Sequence, residues 1–465
     1  MCSSDLRTAS RSLADILTAI RFADLLPAAT THAKMIVAST LASAAAGTQL
    51  ESARIIRTLA KESGGKTEAT VWFDGARLPI ASAARVNAML SDAAASDDSD
   101  LRNVAHIGTC ITAVGMALAE RAGSSGSELL TAMVAGYEAG GRIGEALAAS
   151  TSVAGGIGAI GGAVGRGFHA SATVAFAGVA TAGHLLKLTP EQMSHAIGAV
   201  ATTVGGLSIS TNSWAREYHA GNAATTAINA ALVASRGFTV NPDMLDANAG
   251  FLAIFGGGSP NVSALTRPIN GDFQIARFLA IKLVPGAHAL HPAVEAAVAA
   301  ARESQVRPDD IEHVYVAGPQ SSLAAGAKPK DVVEAIHSLP YYIASGIIDR
   351  EFTWRHTDPK LFERPEIAKL ISLVAADPTP PAIRYQWNWG ATVTIVTKQG
   401  ARIQKTVDAP RGSAPRGIEW SDVEAKYQAL WPQSKLSMGK SAAALDMIHN
   451  LDKLPRITRL TGNLQ

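Results

Sequence analysis

From Ser12 to about Arg277 apolar residues recur at three- and four-residue intervals, the spacing that lines one face of a helix. The stretch "GSELLTAMVAGYEAGGRIGEAL" shows the pattern well, with Ser127 as its expected cap. "TPEQ" predicts a start at Thr189, with Pro190 in the first helical position and Gln192 closing a capping box. One interruption, "EATVWFDGARLPI", reads as a small hairpin turning at Asp74-Gly75. After Ile281 the period changes. "IEHVYVAG" predicts a strand, and "ATVTIVTKQGARIQKTV" predicts a hairpin turning at Lys398-Gln399-Gly400. Helical runs such as "HPAVEAAVAAARES" and "VVEAIHSLPYYIASGII" lie between them. "PRGIEWSDVEAKYQALW" then restarts a helix at Ser421, with Glu424 completing a capping box. The pattern therefore predicts a mainly α protein. Its large all-helical domain is built from both chain ends, 1–277 and 413–465, around a smaller α+β domain over 278–412.

Composition refines this picture. A chain of 465 residues exceeds what one hydrophobic core usually serves, so two domains are expected. Apolar residues make up 47% and charged ones 17%, while aromatics are only 5%. With Ala and Gly abundant, the helices are expected to approach closely. Net charge is +2 with no basic run, which gives no nucleic-acid footprint. Mean hydropathy is slightly positive at +0.14, but the uncharged stretch of span-like length, Ala146–Gly165, is diluted by Ser, Thr and Gly and is a poor membrane span. The first twenty residues lack a secretory or transit pattern, so the expected location is cytoplasmic. Cys2 and Cys110 are too few for a disulfide framework or a cysteine metal site, and Cys110 reads as a buried, inert thiol.

Motif by motif, little familiar chemistry survives. "GIGAIG" (Gly156–Gly161) matches a dinucleotide fingerprint, but it follows a helical run and lacks the later acidic residue. His288 and His291 share a helical face without a third ligand at metal spacing, so no metal is expected. No GxSxG offers a serine nucleophile. Ser-Asp-Ala clusters read as loops. There remain polar groups set in small or apolar surroundings: Asp97, Asp98 and Asp100 ahead of His106, then His169, Arg216 with His219, Lys282 and Tyr341. Together they supply cations for carboxylates and several groups able to move a proton.

Seven segments in order carry a resemblance to the MmgE/PrpD family from about Leu13 to Leu454. They are "DDSD…AHIG", the "GSSGSELL…" helix, "RGFHASATVAFAGVATA", "REYHAGNAATTAINAALVASRGFT", "LDANAGFLAIFGG", "KLVPGAHALHPAVEA" and "HSLPYYIASGIID". The resemblance implies an all-α domain with a smaller lid, usually in a homodimer, and a cofactor-free site between domain and lid. The implied chemistry is proton movement beside a carboxylate on a small polycarboxylic acid. The family's acidic motif falls on Asp97 and Asp100, its histidines on His106, His169 and His219, its lid lysine on Lys282 and its lid tyrosine on Tyr341. Two positions depart from the family pattern: Ile107 replaces a usual proline, and Arg216 a usual lysine.

An arginine grips carboxylates but does not serve as a base near neutral pH. The departure at Arg216 therefore points to an epimerase of the iminodisuccinate type. In that reading Arg216, Lys282 and Asp100 bind substrate, while His106, His169, His219, Lys282, Tyr341 and Asp97 carry catalysis. The alternatives are a 2-methylcitrate dehydratase or cis-aconitate decarboxylase reaction at the same site, and a non-catalytic helical binding protein.

Overall fold

The computed structural model of the chain describes residues 8–148, 167–256, 260–326 and 328–465. The glycine run Gly156–Gly161 and Cys2 lie outside the described residues. The principal elements open with α1 (Ala9–Ala19), α2 (Pro27–Gly47), α3 (Glu51–Ser63), the hairpin β1 (Ala69–Thr70) and β2 (Arg77–Leu78), and α4 (Ile80–Ala93). There follow β3 (Asp98–Asp100), α5 (Ile107–Ala122), α6 (Gly126–Ala148), α7 (Val174–Leu185), α8 (Pro190–Ala201), α9 (Ala215–Ala234) and β4 (Leu279–Ile281). The next group is α10 (His291–Ser304), β5 (Ile311–Ala317), α11 (Leu339–Asp349), β6 (Val374–Ala376), β7 (Ala391–Thr397) and β8 (Arg402–Val407). The chain closes with α12 (Trp420–Leu430) and α13 (Met438–His449). Helix dominates and the sheets are small.

Two compact units emerge. Of the described residues, the larger takes those up to 281 and again from 419 to 465, and the smaller those from 282 to 418. These borders compare with the expected 277 and 412. In the larger unit α2 is buried on nearly every side from Met35 to Gly47, as a helix apolar all round must be. Small residues set the spacing around it. A Cβ on Gly178 of α7 would stand 2.7 Å from Cys110 Sγ of α5 and 2.8 Å from Ala227 Cβ of α9, so three helices meet at a hydrogen atom. Cys110 is fully buried there, and burial pushes its thiol up to about 12, the inert state expected of it.

Local signals mostly survive folding. Thr189 and Gln192 form the capping box of α8 with Pro190 at its first position. The hairpin turns through Gly75, at φ +77°, with Ala69 opposite Leu78. Two caps differ. Ser125, not Ser127, serves α6: its Oγ accepts from Glu128 N at 3.3 Å, and Glu128 Oε2 accepts from Ser125 N at 2.8 Å. At α12 the helix begins one residue before Ser421, and Glu424 pairs instead with His449 Nε2 at 2.9 Å. One strand lies within the segment read as mostly helical. β3, spelled Asp-Ser-Asp, pairs antiparallel with β4, Asp98 opposite Ile281. Such residues have low strand propensity, so only the partner makes them a strand.

In the smaller unit the sheet order is β6-β5-β7-β8, with β5 and β6 parallel and the other pairs antiparallel. Gly400, at φ +84°, turns the β7–β8 hairpin as expected. One face of this sheet packs against α10, and the unit's core includes Val314, Val393, Ile395, Tyr341 and Tyr342.

The C-terminal return makes a direct test. A Cβ on Gly126, at the start of α6, would sit 1.7 Å from Leu451 O, whereas one on Gly439 would meet nothing closer than Ser437 Oγ at 3.8 Å. Gly126→Ala is expected to cost about 2–3 kcal/mol through backbone displacement, and Gly439→Ala to gain about 0.5–1 kcal/mol. Urea denaturation of both variants checks the opposite signs.

Candidate active site

His106 ends the loop after β3 and caps α5. Pairing with β4 fixes the backbone of Asp98, and the loop closes through Asp100 N to Ala105 O (2.9 Å) and Val104 N to Asp100 O (2.9 Å). This return places His106 Nδ1 2.7 Å from Asp98 O and 2.8 Å from Asp97 Oδ2. Both are acceptors, so the neutral ring carries its proton on Nδ1 and its lone pair on Nε2. Asp97 is 1% exposed, and its carboxylate can stabilise the imidazolium formed when Nε2 takes a proton. Asp98 adds a second anchor, since its Oδ2 accepts from Gly108 N at 2.9 Å, in the first turn of α5.

Arg216, in the first turn of α9, points to the end of α4. Its Nε lies 3.2 Å from Asp92 Oδ2, and its Nη2 donates to Asp92 O (2.8 Å) and Ala93 O (3.1 Å). The guanidinium thus serves as a C-terminal cap of α4. Burial opposes its charge, but Asp92, Glu217 and Asp97 outweigh burial and raise its pKa further. Instead of presenting an open fork for a substrate carboxylate, Arg216 is occupied inside the protein. Asp92 belongs to the site although its Ser-Asp-Ala context reads as a loop; it lies in the last turn of α4. Its sequence signal is an acidic residue in the last turn of a helix rich in small and apolar residues.

Asp92, Asp97 and His106 are the group of three, among the described residues, whose ligand atoms lie within 4.8 Å of one another, as a metal would require. Arg216 already sits on Asp92 and feels Asp97, so a cation balances this carboxylate pair without a metal.

His169 and His219 complete the cluster. His169 N donates to Gly206 O at 3.0 Å, and Phe168 bridges Leu207, which lays this strand-like segment beside α9. The two rings stack with centroids 5.7 Å apart. Gly206 is needed for this, because at φ +124° a Cβ would stand 3.2 Å from His219 Cε1 and 3.3 Å from His169 Cβ. Burial, then repulsion from His106, His219 and Arg216, drives His169 down to about 3. Burial lowers His219 as well, against an opposing pull from Asp92. A cavity of about 220 Å³ opens beside His219, lined by Thr203, Gly206, Asn222 and Thr226. The larger hollow of about 770 Å³, along Ala382–Trp387 of the smaller unit, gathers no acid–base pair.

The remaining expected residues have other surroundings. Asp100 is fully buried and ion-paired with Arg102 at 3.1 Å, so its charge holds the loop and is not available to bind a polycarboxylate. Lys282 is the first residue of the smaller unit and is 2% exposed. Tyr341 lies in the smaller unit's core, where its hydroxyl donates to His356 O at 2.8 Å and burial raises it to about 12. That placement gives it a packing role, and acting as an acid would first require breaking this bond. The rings of His288 and His291 lie tilted at 51°, centroids 4.6 Å apart, within the same unit.

The chain belongs to the MmgE/PrpD family. Residues 11–263 match the MmgE/PrpD N-terminal domain and residues 285–453 the C-terminal domain. It is similar to cis-aconitate decarboxylase of Homo sapiens, 23% identical over 470 residues that cover 99% of this chain and 95% of the relative. The Mus musculus cis-aconitate decarboxylase is 24% identical, covering 91% and 87%. That of Aspergillus terreus (strain NIH 2624) is 25% identical, covering 83% and 81%. No described helix is long and apolar enough to cross a membrane.

Acid should destabilise this unit in a predictable window. The folded pKa of His169 is below the unfolded value near 6.5, so the stability is present above about 6.5. It is lost as pH falls toward about 3, because only the unfolded state takes the proton. His169→Gln should flatten the decline of unfolding free energy between pH 6 and 4 by up to about 1.4 kcal/mol per pH unit. Urea titrations at several pH values measure this. An unchanged slope would rule out a neutral, buried His169.

Proposed function

We propose that this protein is a cofactor-independent lyase acting on a small unsaturated polycarboxylate, of the cis-aconitate decarboxylase kind. The observation that supports it is the contrast among the three site histidines. His106 has its Nδ1 2.8 Å from the Asp97 carboxylate, while burial keeps His169 neutral beside it. His106 is therefore the group suited to gain and return a proton at Nε2. In the proposed reaction the electrons of the breaking carbon–CO2 bond form a new double bond. The old double bond then shifts its electrons to the carbon beside another carboxylate. That carbon takes the proton from the His106 imidazolium, whose charge Asp97 stabilises until then.

Epimerisation of the iminodisuccinate type needs the same base. It drew its support from Arg216, and in the structure that residue has an internal partner. Its departure from the family pattern is then a matter of loop anchoring rather than of reaction type. The decarboxylase relatives, similar along most of their length, favour the lyase. Lys282 stays our candidate for gripping a substrate carboxylate, to be tested by Lys282→Ala. A homodimer is part of the proposal, supported by the exposed Leu207, Ile209 and Trp214 near His169 and His219, and sedimentation velocity reads it directly.

Incubation with cis-aconitate in deuterated water is expected to release CO2 and place one deuterium in the product. His106→Gln should lower kcat by roughly a hundredfold or more. Deuterium exchange with inverted configuration and no CO2 from iminodisuccinate would return the assignment to the epimerase. An absorbing alkene formed from 2-methylcitrate would indicate a dehydratase.

A further inference from the structure

The loop that delivers Asp97 is held from two sides by buried cations. Between the end of α4 and β3, Ala95 takes a left-handed conformation, φ +47°, that a residue with a Cβ rarely adopts. Such a conformation persists only where its surroundings impose it. On one side, Asp92 O accepts from Ala95 N (2.9 Å) and from Arg216 Nη2 (2.8 Å). On the other side stands Lys426, from α12 of the C-terminal segment, at 1% exposure. Its Nζ donates to Ser39 Oγ of α2 at 2.7 Å and to the carbonyl of Ser96, the residue before Asp97. Ser43 Oγ, also from α2, lies 2.8 Å from the same carbonyl.

A lysine is seldom buried to this degree, because its ammonium gives up strong hydration. Here it crosses into the core of the larger unit and reaches a backbone carbonyl one residue from the carboxylate that faces His106 Nδ1. The adjoining peptide links the two directly, so a shift of the Ser96 carbonyl turns the Asp97 backbone with it.

We propose that Lys426 is a positioning residue for this site, fixing the Ser96 carbonyl and thereby the placement of the Asp97 carboxylate on His106. This rests on the reading of His106 as the proton-transferring group. The C-terminal segment then has a role beyond packing: it brings the cation that sets the acid loop.

The test combines turnover with a direct view of the His106 ring. The Nδ1–H proton should give a downfield NMR resonance, assigned by its disappearance in His106→Gln. Lys426→Met keeps the aliphatic stem and removes the charge. It is expected to lower kcat roughly tenfold or more with little change in KM. The downfield resonance should be displaced or lost, and the pH profile of kcat/KM altered. Lys426→Arg should restore part of each effect. Ser43→Ala removes the second donor to Ser96 O and should displace the resonance in the same direction by less. A folded Lys426→Met protein with the native resonance and pH profile overturns the proposal. If Lys426→Met does not fold, Ser43→Ala decides, and an unchanged resonance there overturns it as well. Full turnover in His106→Gln would instead refute the acid–base reading, while the resonance would still report whether Lys426 sets the ring's partner.

Discussion

The contact between His106 Nδ1 and the Asp97 carboxylate, at 2.8 Å, makes the greatest demand on the rest of the larger unit. A carboxylate can set the tautomer and stabilise the charge of an imidazole only while both are held within a few tenths of an ångström. Neither residue lies inside a long element. Asp97 precedes a three-residue strand and His106 follows a five-residue loop. Their placement therefore depends on groups brought from elsewhere in the chain: β4 for the strand, Arg216 for the end of α4, and Lys426 and Ser43 for the Ser96 carbonyl.

Close helix packing makes those few charges effective. Glycine and alanine at the crossings of α5, α7 and α9 leave little room between backbones, and water is excluded from the core they form. In such surroundings each charge is felt strongly, and an uncompensated one is costly. The buried charges accordingly come in groups, Arg216 with Asp92 and Arg102 with Asp100. His169 stays neutral because burial, together with repulsion from His106, His219 and Arg216, disfavours its charged form. One principle thus accounts both for the occupied arginine and for the division of roles among the histidines.

Much of the fold was legible because it rests on local rules. Helical spacing, the Thr189–Gln192 capping box and the glycine turns at Gly75 and Gly400 follow from residues near one another in sequence. The caps of α6 and α12 were misplaced by one or two residues, since several polar residues compete at each start and packing selects among them. Of the candidate site, Asp97, His106, His169 and His219 were legible as polar groups in apolar surroundings, and the larger unit does hold them near one another. Asp100 and Arg216 were legible as charges but not as paired charges.

By itself, then, the sequence determined the mainly helical character with few small sheets and the identity of the titratable residues. Those properties depend on short-range periodicity and on composition. What only the tertiary structure decided is which charges are spent on the protein and which remain for chemistry. Asp92 and Arg216 stand 124 positions apart, and Lys426 meets Ser96 across 330. Nothing in the local pattern of either partner encodes such meetings. They arise from the packing of α2, α4, α9 and α12, and the electrostatics of the site follows from them.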